Sequence, residues 1–153
     1  MSLTTAEQIE RVEMVYEPFK QMLTKTIKSF ALSPILVTIH SFTRTYNDKR
    51  RDVDIGFIHD VDARLAKTMV DMSGQRLGLK YAMNEPYSKA DEVAHTLELH
   101  GTDNGLVNVM VEICNDLIET TEQQALIAQM LVDLLKASLN TLNEDLSCGG
   151  AKC

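Results

Sequence analysis

With 153 residues, 44% of them apolar, 24% charged and few glycines or prolines, the chain excludes a predominantly disordered polymer and is long enough to bury the core of one domain. A formal net charge of −7 excludes a general affinity for phosphate backbones, and the basic stretch at 49–51 is bracketed by Asp48 and Asp52. The three cysteines, Cys114, Cys148 and Cys153, have no disulfide-framework spacing, no apolar run approaches the roughly 20 residues of a bilayer span, and the N-terminus lacks a secretory pattern. A cytoplasmic protein with neither a nucleic-acid nor a membrane partner is expected.

The first element is a helix. Thr4 with Glu7 three residues on predicts a capping box, and Ile9, Val12, Tyr16, Phe19, Leu23, Ile27 and Phe30 recur at three- and four-residue spacings toward Leu32, with a bend expected at Pro18. Short β-branched runs then predict strands at 35–40, 53–58, 79–83 and 108–113. Helical patterns separate or follow them, at about 62–73, 91–99 and 121–142. Alternating strands and helices imply an α/β fold, a mostly parallel but mixed sheet of about four strands flanked by helices. The connection at 41–52 holds no helix, so the first two strands are expected to run antiparallel. Residues 1–142 read as a single domain and 143–153, where the apolar pattern stops, as a flexible tail.

In open α/β sheets ligands bind beyond the carboxyl ends of strands. The polar residues there are His40 and Ser41, His59 and Asp60, Asn84 and Glu85, and Glu112, Asn115 and Asp116. A histidine at a strand end, such as His40, suits a metal ligand or a general base, and equally a hydrogen bond at the sheet rim. Glu112 sits inside an apolar strand, where an unpaired charge is expensive; it is either paired with a cation or tuned for proton transfer. The NEPYS stretch at 84–88 is a turn, and the five-residue spacing of His95 and His100 makes a weak metal pair. No phosphate loop, nucleophile elbow or cysteine-rich zinc signature is present.

Taken in order, IHSFTRTYNDKRRDVDIGFIHD, NEPYS, the HG at 100–101 and VNVMVEICNDLIE resemble the N-formylglutamate amidohydrolase family, over about Thr4 to Leu139. The resemblance implies a zinc-dependent amide hydrolase with a fold related to zinc carboxypeptidases and aspartoacylase, acting on a small N-formyl or N-acyl amino acid. It implies that His40 is a metal ligand, that Glu112 is the general base, and that Arg51, Asn84 and Tyr87 bind substrate. It also implies that the other zinc ligands come from a segment ahead of the first helix. This chain is therefore expected to carry part of the site and to be inactive by itself, the alternative being a non-catalytic homologue that serves as a binding domain. Cys114 stands where the family usually has an arginine. An uncovered sheet edge is expected to drive homo-oligomer formation.

Overall fold

The computed structural model describes residues 3–74, 76–88, 91 and 93–149, the last six of these by backbone alone. By contacts the chain divides into two compact units, Met1–Pro34 and Ile35–Cys153.

The first unit is one helical run: α1 (Thr5–Arg11), a π turn at Val12–Tyr16 and α2 (Glu17–Ser29). The expected capping box is present, with the Glu7 N–H donating to Thr4 Oγ1 at 3.3 Å and the Thr4 N–H donating to Glu7 Oε2 at 2.8 Å. The irregularity falls in the turn just before Pro18, whose ring nitrogen cannot donate to a carbonyl one turn back. No residue of the described run is buried, and Ile9, Val12, Phe19 and Phe30 of its apolar stripe are exposed while Tyr16, Leu23 and Ile27 are half-buried.

The second unit contains the sheet. Its strands are β1 (Leu36–Phe42), β4 (Ile55–Ile58), β5 (Tyr81–Met83) and β6 (Asn108–Cys114), in the order β1-β6-β4-β5. β1 runs parallel to β6 and β4 parallel to β5, whereas β4 and β6 are antiparallel, so the sheet is mixed and mostly parallel as expected. The first two long strands do run in opposite senses, but β6 is inserted between them. A two-residue hairpin, β2 (Thr45–Tyr46) and β3 (Lys49–Arg50), fills the connection at 43–50; Asn47 and Asp48 at its tip take left-handed φ values of 49° and 58°.

The inserted strand has a consequence for the crevice. β1 and β6 end at one edge of the sheet and β4 and β5 at the opposite edge, so His59, Asp60 and Asn84 do not share a rim with Asn115 and Asp116. The single row of strand-end polar groups expected from the sequence is split in two.

Strand alternation assigns the two faces. Ile55, Phe57, Val109, Val111 and Ile113 pack against α3 (Arg64–Ser73) and α4 (Thr121–Gly149), contributed by Leu65, Ala66 and Met69 and by Ile127, Met130, Leu131 and Leu134. The other face carries Phe42 and Cys114, packed with Val53 and Tyr87, and Ile58 and Met110, packed with Leu97. The same alternation puts Thr38, His40, Gly56 and Glu112 on this second face.

Within the stretch expected to be helical at 91–99, the described residues form a π turn at Leu97–Gly101. α4 continues to Gly149, past the end of its apolar pattern, and the remainder of the expected tail lies outside the described residues. Contrary to the sequence expectation, Thr121–Asn143 is long and apolar enough to cross a bilayer by length and composition. Its buried residues, Ile127, Met130, Leu131, Leu134 and Ser138, nevertheless fall on one helical stripe, the first four of them in the core.

Candidate active site

Glu112 lies at the middle of the second face. Its register partners are His40 on parallel β1 and Gly56 on antiparallel β4, so the carboxylate has a histidine on one side and no side chain on the other. Glu112 is 4% exposed, and its Oε2 is buried with no hydrogen-bond partner among the described residues. Burial pushes its carboxyl above the ordinary value, and the positive charge of Arg51 partly opposes that rise. His40 is exposed at the same level of the sheet.

Arg51 leaves β3 toward a seat of three rings. Its guanidinium carbon is 4.7 Å from the centroid of Tyr87, 5.0 Å from Tyr46 and 5.6 Å from Phe42, and Nη1 donates to the Thr43 carbonyl at 3.3 Å. Among the described residues no carboxylate lies within ion-pair distance of it. Among the described residues only Nη1 of this half-buried guanidinium has a hydrogen-bond partner, which leaves its other donors open to a carboxylate.

The loop that delivers Tyr87 depends on Gly56. The Glu85 carbonyl oxygen occupies the space a Cβ on Gly56 would take, so the chain crosses directly over β4 beside Glu112. The turn into this crossing is held at Asn84, in the left-handed region at φ 55°. Its Oδ1 accepts from the His59 N–H at 3.0 Å and its Nδ2 donates to His59 Nε2 at 3.0 Å, which assigns the imidazole proton to Nδ1, donating to the Asp60 carbonyl at 2.9 Å.

Of the residues singled out from the sequence, His40, Arg51 and Tyr87 are thus grouped with Glu112. Asn84 is not: its carboxamide is committed to His59. Arg44 and Gly56 escaped sequence reasoning. The glycine inside an apolar strand was the available signal for a close backbone approach; Arg44 gave none. Cys114 is fully buried against Phe42 and Val53, and burial pushes its thiol up.

The zinc implied by the resemblance can be tested against the donors present. Among the described residues no group of three His, Cys, Asp or Glu side chains converges, whereas a catalytic zinc takes about three protein ligands. The described residues do not make up a zinc site.

The fold is thus a mixed α/β sheet with a buried carboxylate on one face and, near it, an arginine that pairs with no carboxylate among the described residues. Residues 2–119 match the family model of N-formylglutamate amidohydrolase, and the chain belongs to that family. A crystal structure of a gene product from Agrobacterium tumefaciens aligns at a TM-score of 0.85 and 38% identity, over 94% of this chain and 57% of that one. The chain therefore spans little more than half the length of that relative. No curated protein sequence gives a significant match.

Proposed function

We propose that the chain supplies the proton-transfer and carboxylate-binding half of a site that hydrolyses the amide of an N-formyl or N-acyl amino acid. The observation that carries this reading is Glu112: a buried carboxylate with a raised pKa and, among the described residues, an unpartnered oxygen, near an arginine that pairs with no described carboxylate. A carboxyl whose charged form is disfavoured by burial suits a proton carrier.

As water adds to the acyl carbon, Glu112 takes one of its protons. As the carbon–nitrogen bond then breaks, Glu112 gives that proton to the leaving amine, and for N-formylglutamate the products are formate and glutamate. Arg51, backed by Tyr87, holds a carboxylate of the substrate in its fork. His40 is the zinc ligand this chain would offer. The described donors do not complete a shell, so the steps above rest on side chains of the chain alone.

The alternative, a non-catalytic relative that keeps Arg51 and its rings as a carboxylate-binding module, draws support from that incomplete donor set. Formate release from N-formylglutamate, with and without added zinc, separates the two. Release abolished by Glu112→Gln supports the hydrolase; binding of the ligand without release supports the module; neither binding nor release overturns both.

A further inference from the structure

Behind Arg51 lies a second arginine that the reading above does not use. Arg44 is only 16% exposed at its side chain and donates along its whole guanidinium edge. Nε and Nη2 grip Asp116 at 2.8 and 3.0 Å, and Nη2 also reaches Asp54 Oδ1 at 2.6 Å. Nη1 donates to the carbonyls of Val53 at 2.9 Å and Arg51 at 3.3 Å, while the Arg44 carbonyl accepts the Arg51 N–H at 2.9 Å. Arg51 is therefore held by both of its backbone polar groups from one residue.

The clamp extends further through Asp54. Its Oδ2 accepts the Lys80 N–H at 2.8 Å and its carbonyl accepts the Cys114 N–H at 2.9 Å, which ties together the exit of β1, the entry to β4, the approach to β5 and the exit of β6. Two carboxylates at this corner, Asp54 and Asp116, are engaged by Arg44. The opposite arrangement, Arg51 paired with one of them, would leave no fork for a ligand.

We propose that Arg44 is the positioning residue of this site: by holding the backbone of Arg51 and occupying Asp54 and Asp116, it keeps the Arg51 guanidinium seated on Phe42, Tyr46 and Tyr87 and open to a carboxylate ligand. The inference rests on the reading of Arg51 as carboxylate anchor, and concerns a residue that does not itself touch substrate. A lysine cannot replace it, because one ammonium does not span two carboxylates and two carbonyls in a plane.

The test is the side-chain Nε–Hε resonance of Arg51 in the full chain, which the currents of the three rings are expected to displace from its free position. In Arg44→Lys the displacement is expected to be largely lost while the amide shifts of Val109, Met110 and Val111 in the core of β6 stay at their wild-type values, a pattern that a general loss of structure does not give. An Arg51 resonance that keeps its wild-type position in folded Arg44→Lys overturns the proposal. Should that variant fail to fold, Asp116→Asn removes the charge and one of the two bonds from Asp116 to Arg44 and is expected to lose part of the displacement; no change there overturns it equally. Adding N-formylglutamate to the wild-type protein tests the anchor separately. An Arg51 resonance indifferent to the ligand ends the anchor reading, and the dependence of the seat on Arg44 is still decided by the variant spectra.

Discussion

Gly56 and Glu85 are in backbone contact, the carbonyl of Glu85 filling the space a side chain on Gly56 would need. Because Gly56 is the cross-strand partner of Glu112, this contact sets how closely the 84–88 loop passes over the carboxylate and where Tyr87 meets Arg51.

Gly56→Ala is accordingly expected to displace that loop. The obstructing atom is backbone, so it cannot rotate aside, and an overpacking cost of about 1–3 kcal/mol is expected. Thermal melts measure the cost, and the Arg51–Tyr87 contact is expected to loosen with it. An alanine variant as stable as wild type would show that the loop is free to move.

Glu112→Gln is expected to stabilise the protein at neutral pH. The folded-state pKa of Glu112 is raised, so ionising it costs folded stability as pH rises through that value, and the neutral amide avoids the cost. The gain is expected to be about 1 kcal/mol, or about 2–4 °C in melting temperature, and to fade below about pH 4, where the carboxyl is protonated in both states. A loss of several degrees at pH 7 would mean that Glu112 is half of a structural ion pair.

Why some of this was readable and some was not follows from the range of each interaction. β1 and β6 are β-branched runs, and their positions are local properties; so is the Thr4 capping box. The insertion of β6 between β1 and β4 is a pairing across about half the chain, which periodicity does not encode, and it split the expected crevice. His40 and Glu112 stood out because each is a polar residue in an apolar strand. Arg44 acts through a carboxylate 72 residues away, and Asn84, conspicuous in its motif, turned out to be committed to a histidine 25 residues back.

The edge strand gives a prediction about association. Among the described residues β1 pairs only with β6, and Ile39 on it is 60% exposed at an apolar groove of about 380 Å³ lined also by Val37, Val111, Ile113, Leu131 and Leu135. A second copy offers the same unpaired edge, and two such edges related by a two-fold axis satisfy one another. Sedimentation is expected to show a dimer or larger species that Ile39→Lys converts to monomer. A wild-type chain that is monomeric at every concentration would sink this.

Zinc binding separates a half-site from a whole one. His40 and Glu112 are adjacent on the sheet, but two groups fall short of the roughly three protein ligands that hold a catalytic zinc, and the described residues bring no third. The purified chain is therefore expected to keep well below stoichiometric zinc through dialysis, with His40→Ala making little difference. Stoichiometric zinc that disappears in His40→Ala would mean that groups beyond the described ones, or a second copy, complete the shell. The metal would then belong to the chemistry of this chain, and the Glu112 pH profile would have to be measured again with zinc bound, because a nearby dication lowers the pKa of a carboxyl that burial has raised.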